Sequence, residues 1–470
     1  MDQNYNGSLK RNLSNRHIQL IAIGGCIGTG LFLGAGSTIH LAGPSIILIY
    51  FLIGSIVFLV MRALGEILLS NLRYKSFLDF VSELLGPFAG YVLGWSYWLC
   101  WVVIGIADLI AISGYTKMFF PSLPSWIPAL VCIALFYMLN RLTVKLFGEM
   151  EFWFAVIKVL AICVLVIVGC IFIVISFRSP SGEVSSLKNI FNNGELFPNG
   201  FQGFLAGFQS ATFAFIGVEL VGTVAAESKD PHKNLPKAIN NIPLRILMFY
   251  VLSVMVILSV IPWHSIDPNQ SPFIVLFLFA GLPSAAALVY IVVMTSAASS
   301  TNSGMFSTSR MLYGLALLKK APRFFTKLSN SSVPINGLRF SCLCLLSSVI
   351  LLIIGNKNIV DVFILVASVA TTICLFTWFL IMLSYIKYRK KYHHRHIQSA
   401  FKLPGGMLSC WICILFLGAT VLTLTLQSST RIALYIGFSW FCFISCTYVL
   451  VPKSIKQNWR ILILKAMNNE

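Results

Sequence analysis

Asp108, Lys158 and Glu219 stand inside stretches otherwise free of charge. An ionisable side chain at bilayer depth costs roughly 3 kcal/mol or more, so such groups mark substrate, ion or proton handling by default. Lys158 follows Glu151 by seven residues, and a rise of about 1.5 Å per residue carries its amine roughly 10 Å along a helix. An amine there is a candidate to gain and lose a proton; a stem that snorkels back to the interface is the plainer alternative. Asp108 follows Trp95, Trp98 and Trp101 and has Gly105, Ala107 and Ala111 beside it. It either borders a tight cavity or sits near the outer interface, since Lys117 lies only nine residues on. Glu219 falls at mid-span in Phe201 to Glu227, FQGFLAGFQSATFAFIGVELVGTVAAE, between Gly217 and Gly222 and close to Phe213 and Phe215. Thr295 to Ala316 puts hydroxyls, Ser299 among them, and Asn302 on an apolar segment, where they either line a path or bond neighbouring helices.

The other chemistry is backbone chemistry. Ile21 to Phe32, IAIGGCIGTGLF, packs Gly24, Gly25, Gly28 and Gly30 into an apolar run, with Gly34 just beyond. Glycine inside a helix costs about 1 kcal/mol relative to alanine, so the cluster reads either as a break or as a surface for close helix approach. A break frees N–H and C=O groups that are tolerated only within protein or along a cavity. Those groups can bind a small polar ligand.

Elements of membrane type must position these residues. The 470 residues are 57% hydrophobic and only 10% charged, with a mean hydropathy of +0.85, far outside the soluble range. Eleven stretches without Asp, Glu, Lys or Arg are long enough to span, and the first, Ile18 to Met61, divides near His40 to Pro44, so twelve spans are expected. With the N-terminus inside, 28 of the 34 Lys and Arg fall on inner loops and tails, five fall outside, and Lys158 lies within a span. That bias predicts cytoplasmic termini. It also explains the net charge of +19 without a nucleic-acid partner. The polar Met1 to Arg16 shows no cleavage pattern, so the first span is read as a retained anchor, with Leu9 to His17 along the interface.

The interrupted segments occupy the first and sixth positions. Five spans per repeat forces opposite orientation, and paired interruptions in inverted repeats point to a transporter's central site. The expected layout is a cytoplasmic segment over 1–16, a five-helix repeat over 17–177, an inverted second repeat over 196–390, two peripheral helices over 403–452 and a tail over 453–470. Glu66, at the end of the second span, reads either as a gate carboxylate paired with a basic neighbour or as a solvated helix end. His393, His394 and His396 read as solvated charge in a basic loop. Cys410 and Cys413 lack a second pair or a nearby histidine, so no metal is expected. A membrane-embedded enzyme is disfavoured because no histidine–carboxylate pair stands at helical spacing within the spans. A sensor that binds without transporting is the other rival, although no added soluble signalling domain accompanies the spans.

LKRNLSNRHIQLIAIGGCIGTGLFLG, AGPSIILIYFLIGSIVFLVMRALGEILLSN, KLFGEMEFWFAVIKVLAI, FAFIGVELVGTVAAESKDP and SAASSTNSGMFSTSRMLYGLA resemble the bacterial amino acid transporter family of the amino acid–polyamine–organocation superfamily. The resemblance runs essentially end to end. It implies an all-α fold of five plus five inverted helices and two more, with the first and sixth discontinuous. The implied activity is proton-coupled uptake of a small amino acid, with no cofactor beyond the proton and the oligomeric state open. By the same resemblance Cys26, Thr29 and Gly30 hold the substrate, the last two through N–H groups on its carboxylate. Phe213, Ala214 and Ile216 offer carbonyls to its ammonium, Phe215 and Glu219 gate, and Lys158 or Glu219 carries the proton. Asp108, Ser299 and Asn302 are further pocket candidates. Aromatic-carrying relatives commonly have glutamate where this chain has Asp108, which favours the small-substrate branch.

Overall fold

The computed structural model describes residues 27–74, 76–141, 144–180, 182–194, 196–220, 222, 230–329, 333–354 and 359–452. Among these the chain is helical, and extended pairing is confined to isolated bridges, Arg178 with Val184 and Leu328 with Pro334. Nine helical runs among the described residues are long and apolar enough to cross a membrane.

The first run, Thr29–Ser70, is 42 residues long. It comprises α1 (Thr29–Phe32), α2 (Gly34–Ala42), a 3-10 turn at Gly43–Ser45 and α3 (Ile46–Ser70). The division expected near His40 to Pro44 is therefore a tight turn, built on Gly43 at φ 58 and on Pro44. Short α4 (Phe77–Leu84) opens with a capping box between Ser76 and Asp79. Next come α5 (Pro87–Phe119), α6 (Trp126–Asn140), α7 (Val144–Val174) and α8 (Gly200–Phe213). The run Pro231–Val260 passes through a π-helical turn at Leu247–Val251 into α9 (Leu252–Val260).

The uncharged stretch from Pro268 to Ser309 is split. A short helix, Pro272–Phe279, precedes α10 (Pro283–Leu317), and each starts on a proline, whose fixed φ and missing N–H suit a first helical turn. The chain continues through α11 (Ile335–Leu345) and α12 (Ile359–Lys391) to α13 (Gly406–Thr423) and α14 (Ser428–Leu450).

Burial separates the middle of the bundle from its rim. The most apolar window of α5 is 83% buried and that of α14 only 17%, so α5 is core and α14 is peripheral. Leu160, Val164, Ile167 and Ile171 are all exposed on α7 at the three- and four-residue spacing of one helix face, a surface that suits lipid. Helix α5 packs against both α10 and α12, and α2 packs along α8.

One end of α3 is pinned by a polar cluster. Glu66 is fully buried and its Oε1 lies 2.5 Å from His396 Nδ1. Its Oε2 accepts from the Tyr385 hydroxyl at 3.0 Å and from the Leu403 N–H at 2.7 Å. One turn back, Arg62 donates to Asn240 Oδ1 at 2.8 Å and to the Lys402 carbonyl, and it stacks 3.8 Å over the Phe401 ring. His396 is thus buried rather than solvated. Its partner is 330 residues away in the chain, beyond what local charge patterning can reveal.

Candidate functional site

The seam where the first and sixth segments meet is built largely of backbone. α1 starts behind an extended Gly28 at φ −126 and ψ −170, and the Leu31 N–H donates to the Gly28 carbonyl at 3.2 Å. The N–H groups of Thr29 and Gly30 therefore lie ahead of that bond, at the end of a helix where donors have no intrahelical partner. Gly24, Gly25 and Cys26 fall outside the described residues. Across the seam α8 ends at Phe213 and residues 214–219 follow as turns. Gly217 sits at φ 103, a conformation open to glycine and strained for other residues. A Cβ at Gly30 would lie 2.6 Å from Ala214 Cα and 2.9 Å from Phe213 Cδ1. Only glycine lets the two backbones approach this closely.

The side chains around the seam are polar and buried. The Thr29 hydroxyl donates to Asp108 Oδ1 at 2.6 Å, and Asp108 Oδ2 has no hydrogen-bond partner among the described residues. Asp108 is fully buried, in the core rather than at an interface. The Ser296 hydroxyl donates to the Ile27 carbonyl at 3.1 Å, fixing α10 to the start of the first segment. The Ala214 carbonyl accepts from the Tyr250 hydroxyl at 2.8 Å, and the Ile216 N–H reaches the Phe213 carbonyl at 3.3 Å. Phe215 stacks on Tyr250 with ring centroids 4.6 Å apart and meets Tyr50 edge-on at 5.7 Å. The Phe213 ring instead borders a cavity. Glu219 is buried, faces the Gly217 N–H at 3.1 and 3.3 Å, and takes the Tyr97 hydroxyl at 3.4 Å.

A second polar group joins α6, α7 and α10. Lys158 Nζ donates to Ser299 Oγ at 3.1 Å, and the Ser299 hydroxyl donates to Glu151 Oε2 at 2.8 Å. Asn302 Nδ2 donates to Glu151 Oε1 at 3.0 Å and its Oδ1 accepts from Asn140 Nδ2 at 2.8 Å. All five are buried. Glu151 and Asn140 escape a reading based on lone charges, although one signal was present: Glu151 and Lys158 are two turns apart and share a helix face. Ser296 and Ser299, one turn apart on α10, touch the first segment and this network respectively.

A bundle of apolar helices long enough to cross a membrane, with polar groups buried between them, is the architecture of an integral membrane protein. The amino acid permease family profile matches residues 17–461, and the chain belongs to that family. It is 54% identical over 446 residues to the D-serine/D-alanine/glycine transporter of Escherichia coli, covering 95% of each chain. It is also 46% identical over 440 residues to the amino-acid permease AapA of Bacillus subtilis, covering 94% of each. With the DL-alanine permease of Lactococcus lactis subsp. cremoris the identity is 43% over 399 residues, covering 84% of this chain and 86% of the relative. The protein is therefore a multi-pass membrane protein of the amino acid permease family.

Proposed function

We propose that this chain takes up small neutral amino acids, D-serine, D-alanine and glycine, across a bacterial cytoplasmic membrane by proton-coupled alternating access. The close approach of Gly30 to Ala214 carries the reading. It brings the start of α1, whose first N–H groups have no intrahelical partner, against the turn after α8, and in this scheme the two part to admit a ligand with an anionic and a cationic end. In this scheme Thr29 and Gly30 hold the carboxylate, favoured by the positive end of the helix dipole. Phe213, Ala214 and Ile216 hold the ammonium through carbonyls, and Cys26, outside the described residues, is the remaining substrate-binding candidate. Asp108 keeps Thr29 in place, and Phe213 is the lid. Phe215 and Glu219 act behind the lid, within the turn that moves with it. The substrates for which the relatives are named, D-serine, D-alanine, glycine and DL-alanine, support a small neutral substrate.

The proposed architecture has twelve spans, with the first and sixth discontinuous, arranged as two inverted repeats of five and two peripheral helices, and with both termini cytoplasmic. Dividing Thr29–Ser70 at its turn and adding the shorter α6 and α8 to the runs described above supports that count. Lys158 carries the coupled proton in this reading, with Glu219 as the second candidate. Its route to the substrate is Ser299, then α10, then Ser296 on the Ile27 carbonyl. Coupling requires that the proton favour one conformation over the other, because equal affinity shifts nothing.

Purified protein in sealed vesicles with an imposed pH gradient tests this. Wild type concentrates radiolabelled D-alanine, whereas Lys158→Gln exchanges it across the membrane without accumulation. Accumulation by the variant equal to wild type would remove Lys158 from the coupling. Failure of wild type to move any of the three amino acids would overturn the transport reading.

A further inference from the structure

The run Pro231–Val260 departs from regular α-helix where it passes behind the turn that follows α8. Leu247–Val251 forms a π-helical turn, whose i→i+5 pattern interrupts the regular ladder. The Ser253 hydroxyl covers the interruption, with the Phe249 carbonyl at 2.6 Å and the Tyr250 carbonyl at 3.1 Å. Gly54 of α3 backs the turn so closely that a Cβ there would lie 2.6 Å from Ile246 Cγ2. The residue this turn presents to the seam is Tyr250. It is buried, its ring stacks on Phe215, and its hydroxyl donates to the Ala214 carbonyl at 2.8 Å. The two N–H groups that could reach back to that carbonyl go elsewhere. That of Gly217 faces the Glu219 carboxylate at 3.1 and 3.3 Å, and that of Val218 reaches the Phe215 carbonyl at 3.5 Å.

A buried carbonyl without a donor destabilises whatever conformation buries it. The contact between the Gly30 and Ala214 backbones leaves no room for a ligand between them, so in this shut seam the donor comes from the protein itself, and Tyr250 supplies it. In the scheme above the same carbonyl meets the ammonium of the substrate. One acceptor therefore has two donors in turn, one internal and one carried in by the amino acid.

We propose that Tyr250 is a positioning residue that stands in for the ammonium of the substrate, holding the Ala214 carbonyl while the seam is shut without an amino acid and releasing it when one enters. The inference rests on the transport reading above and adds a kinetic consequence to it. A carrier that accumulates its substrate closes and reorients without it once in every cycle, whereas one-for-one exchange never passes through that step. Without the Tyr250 hydroxyl the shut, unloaded seam keeps an unpaired carbonyl, and the return step alone is slowed.

Initial rates of radiolabelled D-alanine entry into sealed vesicles holding the full-length protein test the proposal. Net uptake is read in vesicles free of amino acid, and exchange in vesicles preloaded with unlabelled D-alanine. Tyr250→Phe keeps the ring and its stacking and removes the donor. Net uptake then falls about tenfold or more relative to exchange, the scale set by leaving one buried carbonyl unpaired. Exchange and D-alanine affinity stay near those of wild type. Under an imposed pH gradient the variant reaches wild-type accumulation more slowly, which separates it from the loss of accumulation expected of Lys158→Gln. The control is Tyr50→Phe. Tyr50 lies edge-on to Tyr250 with centroids 5.6 Å apart, and its hydroxyl has no hydrogen-bond partner among the described residues, so its removal leaves the ratio of net uptake to exchange unchanged. Equal loss of exchange and net uptake in Tyr250→Phe, weakened D-alanine binding, an unchanged ratio, or the same change of ratio in Tyr50→Phe overturns the proposal while leaving transport intact. Wild type that neither exchanges nor accumulates D-alanine strikes the transport reading instead.

Discussion

The seam between α1 and α8 and the cluster around Glu66 are both buried and both joined from distant parts of the chain, yet they are satisfied in opposite ways. At Glu66 a histidine, a tyrosine hydroxyl and a backbone N–H fill both carboxylate oxygens, and Arg62 closes the same corner onto Lys402 and Asn240. At the seam Asp108 keeps one oxygen without a partner among the described residues. There the backbones touch with no side chain between Gly30 and Ala214. A fully bonded network holds a loop against a helix and gains nothing from a ligand. An incompletely bonded one is costly when empty, and that cost falls when a ligand supplies the missing group.

The contrast breaks most sharply at Gly30. Gly30→Ala drives a Cβ into the Ala214 backbone, and overpacking costs about 1–3 kcal/mol while a misplacement of about 1 Å at a reacting or binding centre can cost about hundredfold. Uptake of D-alanine should fall about hundredfold or more, with the thermal midpoint in detergent lowered less than by Glu66→Ala. Glu66→Ala should do the reverse. Leaving the His396, Tyr385 and Leu403 donors without their acceptor costs about 3–5 kcal/mol, visible as a lowered thermal midpoint, with uptake per folded molecule within about threefold of wild type. Equal losses of uptake in both variants would erase the distinction between seam and staple.

Thr29→Val sharpens the seam side, since it removes the donor to Asp108 with little change of shape. A hydrogen bond to a charged group contributes about 1.5–3 kcal/mol, so D-alanine affinity should drop about tenfold, and Thr29→Ser should restore most of it. The smallest effect is expected at Lys320, another buried group beyond the spans. The residue is 6% exposed and its ammonium donates to Ser82 Oγ at 2.8 Å. Burial lowers its pKa to about 8, and the Asp79 carboxylate offsets part of that fall. The folded state then holds fewer protons than the unfolded state between about pH 8 and the ordinary lysine value, so stability rises with pH across that window. Lys320→Met should flatten that rise in a pH series of thermal melts; an unchanged slope would assign it to other groups.

Legibility from sequence followed the range of the interactions involved. Apolar runs and the division near His40 to Pro44 are local properties, and they reappear as helices and as the turn at Gly43–Ser45. The splitting of Pro268 to Ser309 into two helices was less visible, because an uncharged run carries no charge punctuation and Gly281 is a single residue. Glu151 was hidden by its position near an expected helix end. What makes it buried and bonded is the arrival of Ser299 and Asn302 from α10, about 150 residues away.

The sequence by itself determined a chain of apolar helices of membrane type, two glycine-rich segments among them and the few ionisable groups that such helices carry, because lipid tolerates no charge or unpaired backbone without reason. Only the tertiary structure decided which groups meet. It seated Thr29 on Asp108, Lys158 on Ser299, and His396 on Glu66. Burial makes a polar group expensive, and whether that expense is met by the chain or left for a ligand depends on atoms brought together from far-separated positions, which no local pattern records.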